Sequence, residues 1–217
     1  MVMTEFKRTT QGARWRIALA AMALVAVTAT VTTRVVSEEK GDQPKMSPEE
    51  QKMMEARIKA TSPGEHHKHL MKLVGTWSAK AKFWMRPDDK PNEGQGTATW
   101  KSIMGGRYVM LNYDGNSAAM GPFQGISITG YDNITKQYTD VWVDSMSTAP
   151  FISHGTCDAS GKTFQYKGEF IDPMTGKKSA NRSVMRMVSD TEMRFDVYDF
   201  GPDGKEFQSL EITYTKK

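Results

Sequence analysis

From Trp77 to Thr215 the chain alternates apolar and polar residues, with turn-forming clusters recurring at short intervals. In "TWSAKAKFWM", Trp77, Ala79, Ala81, Phe83 and Met85 share one face, and Ser78, Lys80 and Lys82 share the other. In "TFQYKGEF", Phe164, Tyr166, Gly168 and Phe170 oppose Gln165, Lys167 and Glu169. A period of two marks antiparallel strands with one buried face. The punctuation "RPDDKPNEG", "YDGN", "YDNITK", "DASGK", "DPMTGK" and "GPDGK" supplies Gly, Asn, Asp or Pro where tight turns need them. About ten strands fit between Trp77 and Thr215, with little room for helix. Short connections favour pairing of consecutive strands, and closure removes the two open edges. The expected fold is all-β, an up-and-down antiparallel barrel wide enough for one small ligand. A two-sheet sandwich is the alternative.

Upstream of Trp77 the period changes. Glu65 to Val74 reads as a short helix, with Leu70, Leu73 and Val74 as its apolar stripe and Gly75 as its stop. Such a helix would plug one barrel end as a lid. It carries three of the four histidines: His66 near the centre of the stripe, His67 at its flank and His69 at the opposite flank. The three do not converge, and the barrel offers only His154 or carboxylates as further ligands, so no metal is expected. His67 reads as a hydrogen-bonded residue at the barrel mouth. Residues 37–63 form a polar linker around a second helix. It is announced by Ser47 as cap, Pro48 at the first position and Glu50 completing a capping box. Met53, Met54 and Ile58 give it a thin apolar stripe.

Residues 1–36 have a different character. A basic stretch ends at Arg16, an uncharged and mostly apolar run follows from Ile17 to Thr33, and small residues approach Arg34. This is the layout of an export signal. It is either cleaved, for example after Ala29, or kept as an inner-membrane anchor. Both outcomes place the barrel domain, residues 64–217, outside the cytoplasm, as in the periplasm. The first 29 residues hold four basic side chains against Glu5 alone, so the net charge of +4 falls to +1 without them. No basic stripe remains for nucleic acid. Cys157 is the single cysteine, which excludes an intramolecular disulfide and a Cys-rich zinc site. It reads as a strand-end residue beside a turn.

The strand "YTDVWVDSMST" holds the most chemistry. Tyr138, Asp140, Trp142, Asp144 and Met146 share one face, and Val141 and Val143 the other. If the aromatic face points inward, Asp144 is a carboxylate beside Trp142 in a mostly apolar cavity and needs a partner. Arg107, in "GGRYVMLNY", is the candidate because Val109, Leu111 and Tyr113 share its face. "SIMGGRY" lacks the ending of a phosphate loop, and no Gly-x-Ser-x-Gly occurs.

"LVGTW", "GGRY", "GYD", "VDSMST", "DPMTGK" and "GPDGKEF" together resemble the bacterial family called domain of unknown function 1579, from about Pro63 to the C-terminus. The resemblance implies a lipocalin-like barrel and supplies no reaction. "LVGTW" is also similar to the opening strand of nitrobindin-type haem barrels. Those continue with glycines and use a histidine near the C-terminus. Here "SAKAKF" follows and no histidine lies beyond His154, so no haem or other cofactor is expected.

The main expectation is an exported barrel that binds a small, largely apolar molecule. Trp77, Phe83, Trp142, Met146 and Tyr166 would wall the cavity, Arg107 and Asp144 would orient the ligand's polar end, and His67 would sit at the lid. No residue is assigned a catalytic role. Two alternatives remain: acid–base chemistry through Asp144 and His67 in the same cavity, or an envelope interaction protein with a solid barrel core and the Met46 to Ala60 helix as its working surface. Oligomeric state is not encoded in any motif.

Overall fold

The computed structural model describes residues 46–172, 175–201 and 203–217. The expected export or anchor segment, 1–36, and the first part of the linker lie outside the described residues. Among the described residues no helix is long and apolar enough to cross a membrane. Two helices, α1 (Pro48–Thr61) and α2 (Glu65–Met71), precede ten strands: β1 (Gly75–Phe83), β2 (Asn92–Ile103), β3 (Tyr108–Ser117), β4 (Gly121–Asp132), β5 (Gln137–Asp144), β6 (Phe151–Cys157), β7 (Thr163–Ile171), β8 (Lys178–Ser189), β9 (Glu192–Phe200) and β10 (Glu206–Lys216). Each strand pairs antiparallel with its sequence neighbours, and β1 pairs with β10 to close the barrel. The up-and-down barrel is therefore the observed fold, and the sandwich alternative falls.

Helix α1 has the capping box its sequence announces: Glu50 N donates to Ser47 Oγ at 3.3 Å and Ser47 N to Glu50 Oε2 at 2.8 Å. None of its residues is buried. The Asn133 amide, in the β4–β5 turn, donates to Ala60 O at 3.1 Å and Ser62 O at 2.8 Å and holds its C-terminal end.

Helix α2 plugs the barrel end where β1 begins. Gly64 N donates to His67 Nδ1 at 3.0 Å, so an imidazole takes the place of a hydroxyl cap. Leu70 is fully buried, and Trp77 Nε1 donates to Leu73 O at 3.0 Å, latching the helix to β1. The β6–β7 turn clasps the helix from the side, because Lys72 Nζ donates to Ser160 O at 2.9 Å. Gly161 in that turn has φ +66°, and a Cβ there would lie 2.3 Å from the His69 ring, so glycine is needed twice over.

The inward positions change character along the barrel axis. Near α2 they form a dry core of Trp77, Ala79, Ala98, Trp100, Val109, Tyr138, Phe164, Met193 and Tyr214. Trp100 stands edge-on to Trp77 and Tyr214. Towards the opposite end the inward residues Ala81, Phe83, Tyr113, Phe123, Trp142, Asp144, Phe151, Phe170, Asn181, Val197 and Asp199 all keep part of their surface accessible. The barrel is a cup with α2 as the stopper below its floor. On the outside, Asp196 is 2% exposed and accepts from Arg186 at 2.7 Å, Arg194 at 3.0 Å and Gln208 at 2.9 Å, tying β8, β9 and β10.

Candidate functional site

Aromatic rings wall the open half of the cup, and they lie down on glycines. A Cβ at Gly125 would sit 2.2 Å from Trp142 Cη2, and one at Gly168 2.2 Å from Phe151 Cζ. The Tyr113 ring covers Gly96 and Gly115, and the Tyr166 ring covers Gly155. All five glycines alternate with outward residues on inward positions, so each ring folds flat against the wall instead of reaching the axis. Trp142 stacks on Phe123 with centroids 6.3 Å apart and planes at 21°. Rings laid flat on the wall reach less far toward the barrel axis than upright rings would.

The register that pairs Ser127 with Trp142 and Thr129 with Asp140 turns the aspartate and tryptophan of β5 inward. Asp140 forms part of the floor. Thr129 Oγ1 donates to Asp140 Oδ1 at 2.5 Å, and Ser127 Oγ donates to the same oxygen. Ser153, 4% exposed, stands opposite Asp140 on β6. Burial is the main influence on the Asp140 carboxyl and raises its pKa, against the two hydroxyls that lower it. Burial, and then the Asp140 charge, hold the Tyr166 phenol well above its usual range. Asp144 lies nearer the open end. It accepts from Trp142 Nε1 at 2.7 Å and from Met146 N at 2.8 Å. Asp199 also faces inward, and its Oδ1 is buried without a hydrogen-bond partner among the described residues.

These positions regroup the residues picked from sequence. Phe83, Trp142, Asp144 and Tyr166 occupy inward positions of the barrel. Trp77 is fully buried in the lid core, so it does not wall the open half. Met146 is 61% exposed in the turn after β5. The expected Arg107–Asp144 pair is not formed. Arg107 caps the Met104–Gly106 turn with helical φ −77° and ψ −30°, and β3 starts only at Tyr108, so the inward parity of Val109, Leu111 and Tyr113 does not extend back to it. Arg107 is exposed at the lid end and donates to Met104 O at 3.3 Å, while Asp144 ends β5 at the other end. The same separation removes the Asp144–His67 acid–base pair, because His67 belongs to the lid.

The histidines serve the lid. Tyr138 OH lies 3.0 Å from His66 Nδ1 and 3.4 Å from His69 Nδ1, and donates to His66 O at 3.1 Å. Two rings thus meet on a phenol, a convergence that helical geometry alone does not reveal. His66 also stacks on Tyr131 at 4.0 Å. Burial lowers the pKa of His67 and of His69. Cys157 ends β6, and burial pushes its thiol up to about 11. Among the described residues no three His, Cys, Asp or Glu side chains converge as a metal cluster. A cleft of about 260 Å³ on β6–β8 is lined mainly by outward residues, including His154, Gln165, Lys167 and Arg182, and lies apart from the cup.

Sequence reasoning passes over Asp140, Ser127 and Thr129 as site residues, although a signal is present. In "GISITG" the hydroxyls are buried, at 5% and 7% exposure, while Ile126 and Ile128 are 43% and 41% exposed. The strand is inverted, polar within and apolar without. On β5, Val143 is likewise 43% exposed while Asp140 and Trp142 face inward.

Among solved structures, Rv2717c from M. tuberculosis is similar over 72% of this chain and 99% of its own, with 14% identity and a TM-score of 0.55, a likeness of fold. A de novo designed fluorescence-activating β-barrel covers 68% of this chain and 96% of its own, at 13% identity and a TM-score of 0.38. The barrel EF1p2_mFAP2b bound to DFHBI covers 70% and 100%, at 15% identity and a TM-score of 0.38. No curated protein is significantly similar to the chain. The family model described as "Protein of unknown function (DUF1579)" matches residues 62–216, and this chain, with its ten-stranded barrel and helical stopper, belongs to that family.

Proposed function

We propose that this protein is an exported binding protein that holds a small, largely apolar molecule in the open half of its barrel. The observation that carries the reading is the inverted stretch of β4, with Ser127 and Thr129 inward and Ile126 and Ile128 outward, facing the inward Asp140 of β5. Leaving a large aliphatic side chain partly in water forfeits on the order of 1 kcal/mol, and placing a carboxyl inside adds a desolvation cost. A barrel optimised for stability alone would place apolar side chains at these inward positions. Departures of this kind from the local rules concentrate at functional sites. The flat-lying rings of Trp142, Tyr113 and Tyr166 and the accessible inward residues supply the apolar walls such a molecule needs. The basic N-terminus and apolar run of the sequence support export, and fractionation of cells making the full chain checks that part.

Native mass spectrometry of the full-length protein from its own host tests the binding. An added mass that unfolding releases, present in the wild type and lost in Trp142→Ala, supports the reading. Bare protein in both, with no uptake of 3-ethylindole by calorimetry, overturns it.

A further inference from the structure

In the open half of the barrel the charges on inward positions have one sign. On the inward strand positions of the open half the ionised side-chain types are Asp140 at the floor, Asp144 nearer the rim and Asp199 on β9; the inward-register lysine, Lys216, ends β10 at the lid end, where its exposed ammonium lies over the Trp77 ring. The basic residues of the same strands, Lys80, Lys82, Lys101, Lys167, Arg182, Arg186 and Arg194 among them, alternate outward. The three carboxylates sit on different strands and at different depths and do not converge on a point, which is not the arrangement of a metal cage. Two of the three have an acceptor oxygen that no donor among the described residues fills. Both hydroxyls at the floor bond to the same Asp140 oxygen, Oδ1, and Asp199 Oδ1 is buried without a donor among the described residues. Around them stand the faces of Trp142, Phe123, Tyr113 and Tyr166, whose negative quadrupoles favour a cation again.

Resting on the binding reading above, we propose that the ligand is an organic cation, a protonated amine on an apolar or aromatic body. Its ammonium sits at Asp140 and its body lies between Trp142, Phe123 and Tyr113. An anionic ligand of the same shape meets an uncompensated carboxylate at the floor. A neutral one brings no donor to the second oxygen of that carboxyl.

The test compares three probes of one shape on the full-length protein by calorimetry: tryptamine as cation, 3-ethylindole as neutral, and indole-3-acetate as anion. Tryptamine is expected to bind at least about 10-fold more tightly than 3-ethylindole, and indole-3-acetate more weakly than either, since a hydrogen bond between two charged groups is stronger than a neutral one. Asp140→Asn keeps an acceptor for Ser127 and Thr129 and is expected to abolish the preference for tryptamine over 3-ethylindole. A second readout needs no variant. In the wild type the tryptamine preference declines as acid protonates Asp140, whose titratable neighbours are Tyr166 and Tyr138, and 3-ethylindole binding does not follow. If 3-ethylindole or indole-3-acetate binds as tightly as tryptamine, or if Asp140→Asn leaves the preference intact, the cation assignment is wrong and the binding cup stands. If none of the three binds, the binding reading falls with it.

Discussion

Gly125→Ala should pry Trp142 off the barrel wall. The new Cβ would lie 2.2 Å from Trp142 Cη2, 2.3 Å from Cζ2 and 3.1 Å from Cζ3, whereas ordinary contact begins near 3.4 Å. The benzo edge of the indole must therefore move by more than 1 Å. That motion strains the 2.7 Å bond from Trp142 Nε1 to Asp144 and the stack on Phe123. Overpacking of this size costs about 1–3 kcal/mol. The loosened stack and hydrogen bond add roughly 1 kcal/mol in this accessible setting. Reduced freedom of the unfolded chain returns about 0.4–1 kcal/mol. The net loss is about 2 kcal/mol, or a drop in Tm of about 4–8 °C for a domain of this size. Urea unfolding followed by tryptophan fluorescence measures the loss. The decisive comparison repeats the substitution in a Trp142→Phe background. All three contacting atoms belong to the benzo ring that phenylalanine lacks, so there Gly125→Ala should cost little. An equal cost in both backgrounds would show that the glycine serves the backbone and not the ring, and the flat-ring account of the lumen would be refuted.

Two further predictions concern pH. Burial raises the Asp140 pKa in the folded protein, so the folded state binds its proton more tightly than the unfolded state does. The wild type therefore loses stability as pH rises through the window between the ordinary carboxylate value and the folded value, about 1.4 kcal/mol for each unit separating them. Asp140→Asn should match the wild type in stability at pH 3.5 and exceed it at pH 7, and a variant less stable at pH 7 would refute this. The lid histidines act in the opposite direction. Burial lowers the pKa of His67 and His69, so their contribution is intact above the unfolded value near 6.5 and is lost as pH falls through their folded values. His67→Asn, which keeps an acceptor for Gly64 N, should flatten the dependence of the urea midpoint on pH between 7 and 5; an unchanged slope would remove His67 from the account.

Strand number, antiparallel pairing and the stopper helix were legible because each has a local cause: period-two alternation, turn residues with fixed demands, and a stripe that stops at Gly75. The site was only partly legible because depth along the barrel is not local. Asp140 and Asp144 share a face of one strand, four residues apart, and nothing in "YTDVWVD" tells floor from rim. That distinction comes from the register with β4, which places Thr129 beside Asp140 and Gly125 beside Asp144. Arg107 misled for a related reason. Its parity with Val109 assumes extended backbone, and Arg107 instead takes helical dihedrals at the end of the Met104–Gly106 turn, at the opposite end of the barrel. The inverted pattern of "GISITG" was the one local clue to a polar interior.

The seam between β1 and β10 sets when this molecule can become a barrel at all. Every other strand pair joins sequence neighbours and can form as its residues emerge, but Trp77 must find Lys216 and Phe83 must find Leu210. Closing a loop that spans nearly the whole domain carries an entropic cost of about 4 kcal/mol, met only after all ten strands exist. Until then β1 and β10 are unprotected sticky edges on a growing ribbon. The C-terminal strand is thus the kinetic clasp of the fold, and under the proposed export the ribbon stays open until its last residues arrive.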